Sequence, residues 1–262
     1  MFSLTARSAY VAPVHYAIHN RQRVCRPATR WWRAARDALV PLRCRLCQAP
    51  TGTSLALCDV CRGELRCNQP CCRCCALPFT GSARHAATLC PACLASTPPL
   101  EKVLAPFVYE EGLAFLISRW KYQREEALVS TFAELWLHTT AGVREVDLLI
   151  PIPLHWRRLL SRGFNQSADL AEELGRRLEI PRAHPRLLRR ARATPAQARA
   201  GRSERLANLL DAFCVDGSLD GRRVALVDDV CTTGATGEAA ARALRRAGAA
   251  GVQLWCLART PA

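Results

Sequence analysis

The stretch that most constrains the fold is residues 224–236, which read Val-Ala-Leu-Val-Asp-Asp-Val-Cys-Thr-Thr-Gly-Ala-Thr. The short apolar run at its start predicts a strand that is buried on both faces of a parallel sheet. Asp228 and Asp229 end that run. Two neighbouring carboxylates at the end of a buried strand must face a polar ligand or water, because burial together would raise the pKa of each.

A small, hydroxyl-rich turn follows the acid pair and opens into a predicted helix over residues 237–247. A strand, a turn and a helix N-terminus in this order direct backbone N–H groups, hydroxyls and the helix dipole at one anion. The turn has neither the lysine of a Walker loop nor the spaced glycines of a dinucleotide fold. We therefore predict an anion site, with an ordinary solvated acidic turn as the alternative. Its residues are Thr232, Thr233, Gly234, Ala235 and Thr236.

The paired acids followed by Thr-Thr-Gly-x-Thr resemble the phosphoribosyl-pyrophosphate signature of type I phosphoribosyltransferases. The resemblance implies that Asp228 and Asp229 hold the ribose hydroxyls, and that the turn at residues 232–236 holds the 5-phosphate. It also implies Mg²⁺ as a cofactor, which would bridge the diphosphate and ribose oxygens.

Four Cys-x-x-Cys motifs lie between residues 44 and 93, and twelve of the fifteen cysteines lie between residues 25 and 93. In a chain without secretory features this usage favours metal binding over disulfides. Two such motifs supply four thiolates to one tetrahedral Zn²⁺, and four sulfurs leave no position for water, so both sites are predicted to be structural. The first site comprises Cys44, Cys47, Cys58 and Cys61, and the second comprises Cys72, Cys75, Cys90 and Cys93.

The pairing of these motifs has alternatives. Sequential pairing gives two zinc ribbons, whereas a cross-brace would interleave the motifs. Cys67, Cys71 and Cys74 crowd the second site, and Cys71 with Cys74 has a valid ligand spacing. We favour Cys72 and Cys75 because the Ala-Leu-Pro that follows them suits the turn after a ligand pair.

The positive charge is concentrated at the front of the chain. The net charge is +15, and residues 1–102 carry 14 Lys and Arg against 4 Asp and Glu, a net of +10. A basic front third is compatible with nucleic acid binding, and equally with a solvated basic surface. No apolar run approaches the ~20 residues that span a bilayer, and the N-terminus lacks a secretory core. We therefore expect a cytoplasmic protein without a membrane span.

The chain is predicted to divide into three parts. Residues 1–40 are expected to form a basic, poorly ordered leader, and residues 41–97 the double zinc ribbon. Residues 103–260 combine buried apolar runs with helical periodicity, which predicts an α/β domain with a mainly parallel sheet and its site at the carboxyl ends of the strands. Further strands are predicted at residues 103–109, 146–153 and 251–257, and further helices at residues 113–122, 126–139 and 167–178.

An arginine-rich loop follows the predicted strand at residues 146–153. Arg157, Arg158 and Arg162 lie on this loop, at or before the N-terminus of the next helix, where planar guanidinium groups suit a diphosphate. A basic surface loop is the alternative. Lys121, at the end of an earlier predicted helix, is interpreted as a partner of the helix dipole.

Five motifs occur in a fixed order between residues 151 and 229. They are Pro-Ile-Pro-Leu-His at 151–155, Arg-Gly-Phe-Asn-Gln at 162–166, Arg192-Ala-Thr194-x-x-Gln197, Glu204-Arg205-x-x-Asn208, and the acid-pair signature. In this order they resemble the ComF family, over about residues 40–260, and that family joins a double zinc ribbon to a domain resembling amidophosphoribosyltransferases. One departure is Gln-Arg-Glu at residues 123–125, where the family usually has a Gly-Asp turn.

The resemblance implies a mobile loop around residues 189–205 that closes over substrate. Arg192, Gln197 and Arg205 would be its closing contacts. An ordinary surface loop and helix is the alternative.

The resemblance also implies a ligand and a reaction. The ligand would be phosphoribosyl pyrophosphate or a related sugar phosphate, and the reaction would be displacement at the anomeric carbon with pyrophosphate leaving. Arg158 and Arg162 would stabilise the leaving group. Asp228 or Asp229 would assist an incoming nucleophile, which the sequence does not identify.

A second functional hypothesis comes from the same family, which is associated with natural transformation. A non-catalytic protein that handles single-stranded DNA would use the phosphate site and the basic zinc ribbons. Its partners would then be single-stranded DNA and the DNA-uptake machinery.

Overall fold

The computed structural model describes residues 42–79, 88–96, 98–140, 145–190 and 212–261. The predicted leader and the loop candidates Arg192, Gln197 and Arg205 lie outside these residues. The described helices are α1 (Asp59–Gly63), α2 (Pro91–Ala95), α3 (Glu111–Gln123), α4 (Ala127–Thr139), α5 (Trp156–Arg162), α6 (Gln166–Leu178) and α7 (Ala235–Arg246). The described strands are β1 (Lys102–Leu104), β2 (Phe107–Val108), β3 (Leu148–Pro151), β4 (Leu188–Arg190), β5 (Phe213–Val215), β6 (Arg223–Val227), β7 (Val230–Cys231), β8 (Gly251–Trp255) and β9 (Ala258–Arg259). Among these helices, none is both long enough and apolar enough to cross a bilayer.

Four parallel strands form the central sheet, in the order β1-β8-β6-β3. In β6, Leu226 is in register with Ile150 of β3 on one side and with Leu254 of β8 on the other. Parallel neighbours require crossover connections, which the intervening helices supply. The predicted class, an α/β fold with a mainly parallel sheet, is confirmed.

The apolar run of β6 is continuous because both faces of the strand are covered. Ala225 and Val227 belong to a core that also contains residues of α3, α4 and α6. Val224 and Leu226 belong to a second core, built largely from residues of α7 and β8. All four side chains are fully buried, as expected for a central parallel strand.

The region predicted as one strand, residues 103–109, forms two strands that belong to different sheets. β1 joins the central sheet, whereas β2 joins a second parallel sheet in the order β2-β9-β7. Pro106, between them, has no N–H group to donate to a ladder. Asn68 donates two hydrogen bonds to the backbone at this interruption, from its side chain to Ala105 O at 2.9 Å and from its backbone N–H to Pro106 O at 2.7 Å. The predicted last strand, residues 251–257, contains β8, and β9 begins one residue beyond its predicted end.

The first pair of cysteine motifs packs directly on the helical side of the domain. Leu57 and Leu65 share a core with Leu113 and Leu116 of α3. The backbone N–H of Ala56 donates to Thr131 Oγ1 on α4 at 2.9 Å, in a buried environment. This part of the zinc region is therefore held by apolar contacts, by this hydrogen bond and by an ion pair between Arg45 Nε and Glu125 Oε2 at 3.4 Å.

Replacing Gly175 with alanine is expected to destabilise the protein. An added Cβ would lie 2.7 Å from the carbonyl oxygen of Ile180, and a backbone atom moves only if α6 or the following chain moves with it. We expect a loss of about 1–3 kcal/mol in the free energy of unfolding, measured by urea unfolding. Gly63→Ala is the control, since nothing lies within 4 Å of its added Cβ. Equal midpoints for the two variants would contradict this packing.

Candidate functional site

The acid pair lies at the carboxyl end of β6, with different surroundings for each carboxylate. Asp228 is half-buried, and its Oδ1 accepts hydrogen bonds from Ser167 Oγ and from the backbone N–H of Asp229, both at 2.9 Å. In the described part of the chain, no hydrogen bond reaches its Oδ2. One oxygen of Asp228 is thus fixed by the protein and the other remains available.

Asp229 is buried, and the protein satisfies its whole carboxylate. Lys121 Nζ lies 2.6 Å from its Oδ2, and Gln166 Nε2 donates to the same oxygen at 3.0 Å. The backbone N–H of Val230 donates to its Oδ1 at 2.7 Å. The sequence prediction gave both acids the same role, but the structure gives Asp229 internal partners.

The electrostatics of the pair leave Asp228 easily protonated. Burial, and next the charge of Asp229, raise the pKa of Asp228 to about 7. The hydrogen bonds from Asp229 N–H and Ser167, and the charge of Lys121, act in the opposite direction. The Asp228 carboxylate therefore titrates near neutral pH, and a cation or hydroxyl groups placed against it would favour its ionised form.

Two arginines of α5 interact with the groups around the acid pair, Arg162 through a hydrogen bond and Arg158 through its charge. Arg162 Nη1 donates to Gln166 Oε1 at 2.5 Å, and Gln166 in turn contacts Asp229. Arg158 is exposed. Burial lowers the pKa of Arg190, the charge of Arg158 lowers it further and Asp228 raises it, so these three charges lie within interacting range.

Helix α6 is positioned by its N-cap. The side chain of Asn165 accepts from the backbone N–H of Ser167 at 3.1 Å and donates to the carbonyl of Ile152 at 3.0 Å. These two bonds tie the start of α6 to the chain leaving β3. As a result, the first two residues of α6, Gln166 and Ser167, contact the acid pair: Gln166 donates to Asp229 and Ser167 donates to Asp228.

The predicted anion turn is open to solvent. Thr232 and Thr233 are exposed, and the next three residues are half-buried. Gly234, with a φ of 83°, precedes α7. The N–H of Ala235, the first residue of α7, donates to Thr233 Oγ1 at 3.4 Å. The N–H groups of the next two residues have no intrahelical acceptor, so they are available for an anion. The turn is therefore accessible, as an anion site must be.

The buried side chain of Arg259 forms hydrogen bonds with the backbone at the start of the turn. Arg259, on β9, donates through Nη1 to the carbonyl oxygens of Cys231, at 3.0 Å, and of Thr232. The carbonyl groups of Cys231 and Thr232 therefore have a hydrogen-bond donor within the protein.

The eight predicted zinc ligands form two groups, within each of which all sulfurs lie within 4.8 Å of one another. The Sγ atoms of Cys47 and Cys58 are 3.7 Å apart, and those of Cys75 and Cys90 are 3.6 Å apart. A tetrahedral Zn²⁺ with bonds of ~2.3 Å requires sulfur separations of about 3.8 Å, so both groups fit the ion. Sequential pairing is confirmed, and Cys67, Cys71 and Cys74 lie outside both tetrads.

Each tetrad contains one thiol that ionises readily. Burial would raise the pKa of Cys44, but N–H groups of the surrounding motif lower it to about 6. The same balance lowers the pKa of Cys72 to about 7. A thiolate is the form that binds metal, so the local backbone favours loading of both sites.

Comparisons with known proteins agree with this two-part organisation. The double zinc ribbon domain model matches residues 35–94, and the phosphoribosyl transferase domain model matches residues 161–262. The chain is 36% identical over 228 residues to the DNA utilization protein YhgH of Escherichia coli O157:H7, covering 84% of this chain and 98% of that protein. It is 32% identical over 212 residues to Competence protein F of Haemophilus influenzae, covering 78% of this chain and 90% of that protein.

The chain belongs to the ComF family. A solved purine phosphoribosyltransferase from Pyrococcus horikoshii is 19% identical, covers 60% of this chain and 77% of its own, and superposes with a TM-score of 0.29, which is too low to carry an argument. The family assignment rests on the sequence relatives, and it confirms the resemblance seen in the ordered motifs.

Several residues of this ComF-family site were not found from the sequence. Gln166, Ser167 and Arg259 had no assigned role, and Lys121 was interpreted as a dipole partner. A signal existed for Lys121, because it is one of only two lysines among 37 basic residues. No sequence pattern near Arg259 indicates its partners, because Cys75 and Cys231 are distant in sequence and approach it only in the folded structure.

Replacing Lys121 with methionine is expected to destabilise the protein by about 3–5 kcal/mol, because the buried carboxylate of Asp229 loses its countercharge. Thermal and urea unfolding measure the change. Lys102→Met is the matched control, since Lys102 is exposed. Adding Asp229→Asn to Lys121→Met should recover part of the loss, because the unpaired charge is then gone. A Lys121→Met protein as stable as the control would contradict the pairing.

Proposed function

We propose that this protein binds phosphoribosyl pyrophosphate or a related 5-phosphoribosyl ligand together with Mg²⁺. The observation that carries the proposal is the open turn at residues 232–236, which follows an acid pair whose Asp228 keeps one oxygen unengaged. The turn offers N–H groups and hydroxyls to a 5-phosphate. Asp228 faces the same edge and is suited to ribose hydroxyls.

The two acids have different roles in this proposal. Asp228 contacts the ligand. Asp229, held by Lys121 and Gln166, fixes the position of Asp228 and of the start of β7, and it contributes to the local charge rather than binding ribose directly.

Mg²⁺ suits the oxygen that Asp228 leaves open. This ion binds through one or two carboxylates plus substrate phosphates and retains water ligands. A single available carboxylate oxygen matches that mode and does not match a cage built by protein ligands alone. When bound, the ion would supply charge neutralisation between the diphosphate and the ribose.

The arginines near Asp228 suit the diphosphate. Arg158 and Arg190 lie within electrostatic range of one another and of Asp228, and Arg162 is oriented by Gln166. Guanidinium groups in this arrangement would stabilise a departing pyrophosphate in a displacement at the anomeric carbon. A pyrophosphate-release assay with nucleobases, ammonia and single-stranded DNA as acceptors would establish turnover and identify the acceptor.

Affinity for phosphoribosyl pyrophosphate with Mg²⁺ is expected to rise by about tenfold between pH 6 and pH 8. The pKa of Asp228 is about 7, so its carboxylate is mostly protonated at the lower pH and mostly ionised at the higher one. Isothermal titration calorimetry measures this dependence.

Asp228→Asn is the control for that measurement. It should weaken binding and remove the step, while any titration of the ligand's own phosphates persists. Wild-type protein that binds no phosphoribosyl pyrophosphate at either pH would reject the proposed function, and an unchanged pH profile in the variant would reject the role of Asp228.

A second candidate function, handling of single-stranded DNA, is favoured by one surface feature. Trp156 is 58% exposed and Tyr122 is 75% exposed. Guanidinium groups lie over both rings, Arg157 at 5.3 Å from the Trp156 centroid and Arg162 at 5.3 Å from the Tyr122 centroid. Exposed aromatic rings with arginines are the elements on which unpaired bases stack. The relatives named for DNA utilization and competence support this candidate.

Trp156→Ala is expected to weaken binding of a short oligothymidine by roughly fivefold to a hundredfold, the range of one lost base stack. Fluorescence anisotropy at two salt concentrations measures both the affinity and the phosphate contribution. Trp156→Phe is the matched control and should retain most of the affinity, because a ring remains. Equal affinity in all three proteins would exclude this surface as the DNA site.

A further inference from the structure

Arg259 connects the second cysteine tetrad to the anion turn. The Arg259 side chain is buried, with only 6% of the residue exposed. Its Nε donates to the backbone carbonyl of Cys75 at 3.2 Å, and its Nη1 donates to the carbonyl of Cys231 at 3.0 Å and to that of Thr232. Cys75 is itself a member of the second tetrad. One guanidinium therefore spans from a zinc-ligand residue to the residues that begin the turn.

Within the described part of the chain, the hydrogen-bond partners of Arg259 are all neutral. All the acceptors it contacts are carbonyl oxygens, the fourth being that of Thr260 at 3.1 Å. Among the described residues, no carboxylate forms an ion pair with it. A buried cation without a counterion makes the nearby turn more favourable for an anion, since the field is weakly screened in the interior.

The position of the Cys75 carbonyl depends on the metal-binding motif around it. Within that motif the backbone N–H of Cys72 donates to Leu77 O, and that of Ala76 donates to Cys72 O, both at 2.9 Å. Bound Zn²⁺ would fix the four sulfurs of such a motif, and losing the ion removes that constraint. A shift of this turn would carry the Cys75 carbonyl away from Arg259.

The first tetrad has no comparable connection. Across the described residues, no hydrogen bond joins it to the turn. Its region contacts the domain instead through apolar packing, the bond from Ala56 to Thr131 and an ion pair from Arg45 Nε to Glu125 Oε2 at 3.4 Å. The two zinc sites are therefore expected to differ in their effect on ligand binding.

We propose that Arg259 is a positioning residue that couples metal occupancy of the second tetrad to the affinity of the turn for a 5-phosphate. The inference rests on the proposed function and adds to it a connection between the two domains. Coupling between two binding sites is reciprocal. The 5-phosphate ligand must therefore also retain the zinc of the second tetrad, and only that one.

The first experiment uses the unmodified, zinc-loaded protein. Zinc release to a chromogenic zinc chelator is followed with and without ribose 5-phosphate, whose binding is first measured by calorimetry. We expect one zinc per chain to leave about tenfold more slowly at saturating ligand, and the other to leave at an unchanged rate. Equal rates with and without ligand, or equal protection of both ions, would overturn the coupling.

Substitutions then assign the two ions. Cys61 and Cys93 occupy the same place in their tetrads, the second cysteine of a motif on a short helix. Cys93→Ser is expected to weaken ribose 5-phosphate binding by about tenfold, as for one lost charged hydrogen bond. Cys61→Ser should leave affinity nearly unchanged. The same loss in both variants would contradict the proposal.

Arg259→Lys tests the connection itself. Lysine keeps the positive charge but cannot donate to the carbonyl groups of Cys75 and Cys231 at the same time, so the ligand should no longer slow zinc release. Arg245→Lys is the control, because Arg245 lies on the exposed side of α7 and contacts Ala250 and Glu101. Circular dichroism and zinc content confirm folding of each variant. Persisting protection in Arg259→Lys would reject the role of Arg259.

The outcomes separate the two proposals. If wild-type protein binds neither ribose 5-phosphate nor phosphoribosyl pyrophosphate, the proposed function fails and the coupling falls with it. If the wild type binds ligand but zinc release does not respond, only the coupling fails.

Discussion

The repulsion between two carboxylates at the end of a buried strand is the constraint on which this site depends. β6 is covered on both faces, so Asp228 and Asp229 leave it where water is scarce. The fold resolves the repulsion unequally. Lys121 and Gln166 neutralise Asp229, whereas Asp228 faces the opening with a pKa raised to about 7. Asp229 is thereby held by internal partners, whereas one oxygen of Asp228 receives no hydrogen bond from the described residues.

Two cations, the half-buried Lys121 and the buried Arg259, complement this arrangement. Lys121 reaches Asp229 from the end of α3, and Arg259 reaches the carbonyl groups of the turn from β9. Neither residue belongs to the strand–turn–helix signature. In the proposed site the signature would supply the ligand-facing groups, and positive charge from elsewhere in the chain would favour an anion there. Arg259 also donates to the carbonyl of Cys75, a residue of the second cysteine tetrad.

The sequence predicted the elements of the fold better than their ends and partners. The helix over residues 167–178 forms within one residue of its predicted limits, because its N-cap and apolar period are local signals. The strand over residues 103–109 was predicted as one element, since its apolar pattern does not show that Pro106 and Asn68 interrupt the ladder. For the site, the acid pair and the turn are predictions from the sequence, which assigned Lys121 only to the helix dipole.

By itself, the sequence determined what depends on short spacing. Cys-x-x-Cys motifs place two sulfurs on one metal, and an apolar run followed by acids and a small turn forms a strand, a bend and a helix N-terminus. The tertiary structure decided the partners: Lys121 for Asp229, and Arg259 for Cys75, which lie 184 residues apart in the chain. The physical reason is that a long charged side chain has no local preference for its partner. Its partner is set by which buried groups the tertiary packing brings within hydrogen-bonding distance.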